Sequence, residues 1–372
     1  MSGGARRGVW RGAAIGALTL LLAACGRDAP SPDKASDAPA ASTQQTEAAE
    51  LAPSATLRAI KRRGRLNCGV HQGLVGFAYT DNRGQWRGFD VDFCRAMAAA
   101  IFGDADAARF VPLSAEQRFD ALREGRVDVL WRNTSWTMTR DAGQGFVFAG
   151  INYYDGQGFL VRRALGLTSA AELSGARVCM QSGSSAEANA ADFFRQRGVE
   201  YRPVLLKTEE AQRQAYAAEQ CDALTGDVAA LAAARAVMSD PQAHAVLPDV
   251  VSKEPLGPVV RADDERWAAL TRWVLDAVIL AEELGVTQAN AEELRASSQD
   301  PRVRRLLGVD GEFGAMLELD DDWAFDAVRE VGNYGEIFAR SLGPQSTLDL
   351  ARGLNAQWNA TPPGLMYGLP IR

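Results

Sequence analysis

Two stretches of fifteen residues share one plan, and that plan limits the folds open to the chain. ALREGRVDVLWRNTS (121–135) and AYAAEQCDALTGDVA (215–229) each run from a helical segment into an apolar strand with aspartate at its second residue. Each then breaks into a polar loop. The period is not fixed, so this is no solenoid repeat. It is an echo between two lobes built alike.

The surrounding chain supports the same reading. From residue 56 onward short apolar strands alternate with amphipathic segments, which argues for α/β architecture with largely parallel sheets. In the first half, LNCGV (66–70) reads as a strand and 90–102 as a helix capped by Asp90, with Asp92 in its first turn. SAEQRFDALREG (114–125) reads as a helix from Ser114 to a stop at Gly125, and VDVLW (127–131) as a buried strand. In the second half, ARVCMQ (176–181) and CDALT (221–225) read as strands, with a helix over 209–220. WAALTRWVLDAVILAEELG (267–285), DDWAFDAVREVG and TLDLARGLNAQW read as helical material toward the C-terminus.

Composition narrows the function. The 372 residues are 47% hydrophobic, enough for one or two sizeable cores. The net charge of −7 leaves no surplus of cations to displace phosphate counterions, so no nucleic-acid partner is expected. With only His71 and His244, a histidine-rich metal centre or a histidine-based triad has little to draw on, and no metal, cofactor or catalytic residue is expected.

Residues 1–24 read as a signal peptide, with Arg6, Arg7 and Arg11 ahead of an apolar run too short to span a bilayer comfortably. The run ends in LAAC (22–25), which resembles a bacterial lipobox and predicts diacylation of Cys25 and a lipoprotein anchored to a membrane of the cell envelope. Removal of residues 1–24 deletes three arginines and no acids, taking the charge to −10. Residues 25–55, rich in Ala, Pro, Ser, Asp and Thr, bury too little apolar surface to fold and read as a disordered tether. Such a tether reaches roughly 30 Å. Export implies an oxidising compartment, so Cys68, Cys94, Cys179 and Cys221 are expected to form disulfides, with three connectivities open.

Ligands of α/β sheets sit at the carboxyl ends of the strands. Three polar loops lie there. NTSWTMTRD (133–141) offers hydroxyls and Arg140, QSGSS (181–185) opens a helix whose free N–H groups attract anions, and TGD (225–227) offers Asp227. An arginine with neighbouring hydroxyls grips a carboxylate, and a carboxylate opposite accepts from an ammonium group. Arg140 and Asp227 could therefore clamp a zwitterion. The plainer alternatives are a surface ion pair of Arg140 with Asp141 and a helix N-cap at Asp227. Trp131 and Trp136 read as packing.

The ordered set GFDVDF (88–93), TSWTMTRD, YYDGQGF (153–159), CMQSGSSAEAN (179–189) and SKEPLGPVVR (252–261) resembles the amino-acid-binding proteins of ABC importers, and among them the general L-amino-acid-binding proteins. The resemblance runs from about residue 56 to GLMYGLPIR at the C-terminus. It implies a type II periplasmic-binding-protein fold: two lobes with mixed, mostly parallel sheets joined by a two-strand hinge. It places the first lobe at 56–160, the second at 161–258, and the return to the first lobe with a C-terminal helical extension at 259–372.

It also implies roles. Arg140 takes the ligand α-carboxylate with Ser135 and, through its backbone, Asn133. Gln181, Ser184 and Ser185 complete the cradle, and Asp227 binds the ammonium group. His71, Leu74 and Phe77, in HQGLVGF, stand near the ligand side chain. The resemblance favours Cys179–Cys221 and Cys68–Cys94, each within one lobe. It implies a monomer that captures a free L-amino acid by hinge closure in the periplasm and docks to the membrane subunits of an ABC permease. The chain has no phosphate-binding GxxxxGK[ST] loop, so the energy for transport must come from those partners. Two rivals share the fold: a cyclohexadienyl-dehydratase-like lyase, for which Glu187 or His71 would have to be the general acid, and a sensory amino-acid-binding module.

Overall fold

The computed structural model describes residues 52–372, so Cys25, the signal peptide and most of the tether lie outside the described residues. Ordered packing begins ahead of residue 55. Ser54 is buried and caps the helix Ala55–Arg63 by accepting from Leu57 N–H at 2.9 Å. Its own hydroxyl donates to Asp264, which also accepts from the N–H groups of Thr56 and Trp267. One carboxylate thereby ties this first helix to the start of the long helix Glu265–Glu283.

Two five-stranded sheets follow, and they are built on the same plan. The first orders its strands Ala108–Leu113, Leu66–His71, Val129–Leu130, Val259–Arg261, Phe146–Phe148. The second orders them Arg202–Leu206, Arg177–Gln181, Ala223–Asp227, Gln157–Arg162, His244–Val246. In each sheet the first three strands are parallel, and the fourth is antiparallel to its neighbours and arrives from elsewhere in the sequence. The strand that spans residue 160 belongs to the second sheet. Between the sheets, Tyr153–Asp155 and Glu254–Leu256 pair antiparallel as a two-stranded ribbon. This is an α/β, two-lobed architecture with a ribbon where the chain crosses over and back. The Leu66–His71 strand is buried along its whole length, as expected of a parallel strand covered on both faces.

The echoed aspartates hold register. Asp128 Oδ2 accepts from Asn67 N–H at 2.7 Å, and Asp222 Oδ2 accepts from Arg177 N–H at 2.8 Å. In return Asp128 N–H donates to Asn67 carbonyl and Asp222 N–H to Arg177 carbonyl, both at 2.8 Å. Each aspartate therefore brackets the start of the strand beside it.

Disulfides join Cys68 to Cys94 and Cys179 to Cys221, one within each lobe. The first lobe has an aromatic core of Phe77, Phe89, Phe93, Trp131, Tyr153, Tyr334 and Phe338. Trp131 stacks on Phe93 at 4.7 Å and donates its indole N–H to Met97 Sδ, and Trp136 stacks on Phe148. Both tryptophans pack.

Three local expectations change. Asp90 does not cap its helix. The helix spans Phe89–Phe102 with Gly88 at the cap position, and Gly88 holds φ at +125°. A Cβ there would stand 2.3 Å from Phe77 carbonyl oxygen, so only glycine fits. The helix beginning near Ser114 forms only over Arg118–Arg123, with Gln117 as its cap residue and Ser114 Oγ accepting from Gln117 N–H. TLDLARGLNAQW is not a helix: Asp349 and Gly353 both adopt positive φ, and one short turn, Gly353–Asn355, remains.

That C-terminal segment reaches the ribbon. Asn355 is buried; its Oδ1 accepts from Tyr154 N–H at 2.7 Å and its Nδ2 donates to Tyr154 carbonyl at 3.0 Å. Arg352 beside it makes a bidentate pair with Glu282 at 2.9 and 3.0 Å.

Candidate functional site

The carboxyl ends of the parallel strands from both sheets face one another across a cavity of about 60 Å³. That volume is room for a few waters, or for a compact polar ligand. The cavity brings together Asn133, Ser135 and Arg140 of the first lobe with Gln181, Ser184, Ser185 and Asp227 of the second.

The Arg140 loop is assembled from the backbone outward. Asn133 turns the chain at φ +30°, a conformation asparagine tolerates better than most residues. Its N–H donates to Asp90 Oδ2 at 3.0 Å, which is where the expected capping carboxylate has gone. Thr134 Oγ1 donates to Arg132 carbonyl, and Thr137 caps the short helix Met138–Asp141. Trp136 N–H donates to Pro255 carbonyl and Gly257 N–H to Thr134 carbonyl, so the loop is stitched to the ribbon. Arg140 is buried; its Nη1 donates to Ser135 carbonyl at 2.9 Å and its guanidinium lies over the Phe119 ring. It is therefore no surface partner of Asp141.

In the second lobe Ser184 Oγ donates to Gln181 carbonyl at 2.7 Å, and Ser185 Oγ donates to Glu254 at 2.8 Å. Ser185 Oγ also stands 3.4 Å from Ser135 Oγ, across the cleft. Asp227 is the last residue of its strand, not part of a loop beyond it. It precedes the helix Val228–Ala236 but makes no capping bond to it. The N–H at Ala229 goes instead to Asp155 Oδ2. Burial, with Asp155, Glu254 and Glu209 nearby, pushes the Asp227 carboxyl well above the usual range. A cation placed beside it would relieve that cost.

The HQGLVGF residues are placed elsewhere. His71 and Leu74 line a neighbouring cavity of about 230 Å³, which shares Glu209, Ala230 and Ala234 with the first. His71 Nδ1 accepts from Gly73 N–H, and its Nε2 lies 3.1 Å from Glu209 Oε1 of the other lobe. Burial pulls the His71 ring below its ordinary value, with Glu209 opposing. Phe77 is fully buried in the aromatic core, edge-on to Phe89 and Tyr153, and lines neither cavity. Glu187 is exposed and stands outside the cavity lining, so it offers no general acid there.

Sequence reasoning missed three charged lining residues. Arg118 and Arg132 are 3% and 2% exposed, and Glu209 faces them from the second lobe. Burial pushes the Arg132 guanidinium down to about 10, and lowers Arg118 as well, with Arg132 and Arg140 adding to the effect. Burial alone would raise Glu209, but His71, Arg132 and Arg118 outweigh it and hold this carboxyl below its usual range. Arg132 had a signal, since it directly follows a core strand in the Arg140 loop. Arg118, inside an amphipathic segment, had none.

The chain is similar to known proteins along most of its length. Residues 66–296 match the bacterial extracellular solute-binding proteins, family 3. The glutamate/glutamine/aspartate/asparagine-binding protein BztA of Rhodobacter capsulatus is 47% identical over 324 residues, 87% of this chain and 95% of that protein. The general L-amino acid-binding periplasmic protein AapJ of Rhizobium johnstonii is 46% identical over 326 residues, again 87% and 95%. Among solved structures, an ABC transporter periplasmic binding protein from Brucella ovis with glutathione bound is 50% identical, covers 85% of this chain and 99% of its own, and superposes with a TM-score of 0.83. A family match over more than half the chain, with relatives this similar along nearly their whole length, places the chain among the family 3 extracellular solute-binding proteins of bacteria.

Proposed function

We propose that the protein captures free L-amino acids outside the cytoplasm and delivers them to the membrane subunits of an ABC importer. The observation that carries this reading is the pairing of Arg140 on one lobe with Asp227 on the other, across a single cavity. In the proposed complex Arg140 and Ser135 take the α-carboxylate, with the backbone at Asn133. Ser185 and the Gln181–Ser184 turn close over it, and Asp227 takes the ammonium group. His71 and Leu74 bound the neighbouring space into which a longer ligand would extend.

The relatives support the ligand class: BztA is named for four amino acids, AapJ for L-amino acids generally, and the Brucella ovis protein holds glutathione, a peptide. The ligand would enter an open form and be enclosed as the lobes rotate about the Tyr153–Asp155 and Glu254–Leu256 ribbon. The lobes would comprise residues 56 to about 156 with 259–372, and about 157–258, since the strand Gln157–Arg162 belongs to the second sheet. The mature protein would begin at lipid-modified Cys25, stand off the membrane on its tether and work as a monomer.

The test is calorimetry with the twenty amino acids on the wild type and on Arg140→Ala. Binding by the wild type, and its loss in a variant with unchanged circular dichroism, is the expected result; unchanged affinity would remove Arg140 from the site. Radiolabelled palmitate entering the wild type but not Cys25→Ser would support the anchor.

A further inference from the structure

The α-carboxylate and ammonium clamp uses one arginine and one carboxylate of the cavity. Two arginines and one carboxylate remain. Arg132 is held in place by its Nε, which donates to Leu113 carbonyl at 3.0 Å, and by its Nη1, which donates to Asn133 Oδ1 at 3.2 Å. Arg118 Nη1 donates to Thr134 Oγ1 at 3.4 Å. Yet Arg132 Nη2 and Arg118 Nε are buried with no partner. Buried donors left unmade are costly, and two adjacent guanidinium ions out of water are more so.

Charge makes the same point. With both carboxyls ionised, as beside a bound ammonium group, the cavity lining carries Arg118, Arg132 and Arg140 against Glu209 and Asp227, an excess of one positive charge. Other acids nearby do not line it and are engaged elsewhere. Asp90 accepts from Asn133 and Asn152, Asp155 from Gly156 and Ala229, and Glu254 from Ser185, Asn189 and Ser252. A zwitterion adds no net charge and would leave the excess enclosed when the lobes close. A ligand with one further carboxylate would cancel it and satisfy the two open donors.

We propose that Arg118 and Arg132 form a second anion subsite, so that the preferred ligands are amino acids or short peptides bearing a second carboxylate. This rests on the amino-acid-binding reading and specifies the ligand class within it.

The test compares affinities in one buffer for glutamate and aspartate, for glutathione as the peptide source, and for the neutral ligands glutamine and alanine. The wild type is expected to bind at least one of the dicarboxylate ligands about tenfold or more tighter than glutamine. The one with the larger excess identifies the source. Arg118→Met and Arg132→Met are each expected to collapse that ratio to near one, and Arg118→Lys to retain part of it. If a variant fails to fold, the wild-type ratio still decides. Neutral amino acids binding as tightly as the dicarboxylates would overturn the subsite and leave the amino-acid reading standing. No binding of any ligand in the series would overturn both.

Discussion

In the first lobe the cavity wall is cationic: Arg118, Arg132 and Arg140, all buried, come from a helix start and from one loop after a core strand. In the second lobe it is acidic and hydroxylic: Asp227 ends a strand, Glu209 opens a helix, and Ser184 and Ser185 lead into another. Two lobes with the same strand order thus present opposite charge to one ligand. The shared plan fixes where the loops are, and the loop residues alone fix the sign. The split also means that the open lobes attract each other. The attraction is weak across water and grows as the cleft closes and water leaves.

The split can be broken from either side. Asp227→Asn removes the second lobe's ammonium partner; calorimetry should record an affinity loss of roughly 1,000-fold, about 4 kcal/mol, while an unchanged affinity would place the ammonium group elsewhere. Asp90, one of the first lobe's buried acids, gives the next effect. Burial raises it to about 7, against an ordinary 3.8. Its folded-state value lies above the unfolded one, so the stability it contributes is complete below about pH 4 and is lost as pH rises through 7. Denaturant titration should show that contribution falling by up to roughly 4 kcal/mol between pH 4 and 8, and Asp90→Asn should flatten the slope.

Glu209→Gln removes the counter-charge that the second lobe sets against Arg118, Arg132 and His71. Small-angle scattering of the ligand-free protein should show a larger radius of gyration, reflecting a shift of about 1–2 kcal/mol toward the open form. The smallest effect belongs to the exposed cross-cleft contact in which Ser182 Oγ donates to Glu116 at 2.6 Å. Ser182→Ala should change ligand affinity by less than about 1 kcal/mol, and a larger change would mean that the rim, not the charge split, governs closure.

Much of this organisation was legible in the sequence because it depends on local pattern. The echo of helix, strand, aspartate and polar loop located both lobes, and its aspartates do equivalent work in each. Arg140 and Asp227 stood out because strand-end loops are few. What escaped depended on distant contacts. Arg118 is buried, and it lines the cavity with second-lobe residues that lie far from it in the sequence. Asp90 left its capping role because Gly88 starts the helix earlier and Asn133 draws the carboxylate away. Phe77 faces the aromatic core although its neighbours His71 and Leu74 face a cavity. The two disulfides follow the lobes, as the family resemblance implied.

The hydrogen bonds from Asn355 to Tyr154 have a mechanical consequence. Both backbone polar groups of Tyr154 are held by a side chain from beyond residue 296, where the family match ends. The pivot is therefore splinted by a third piece of chain, and the bidentate Arg352–Glu282 pair anchors that splint to the long helix. Joint stiffness is set in part by residues that never approach the ligand. Substitutions there can retune how often the cleft opens while every binding contact stays the same.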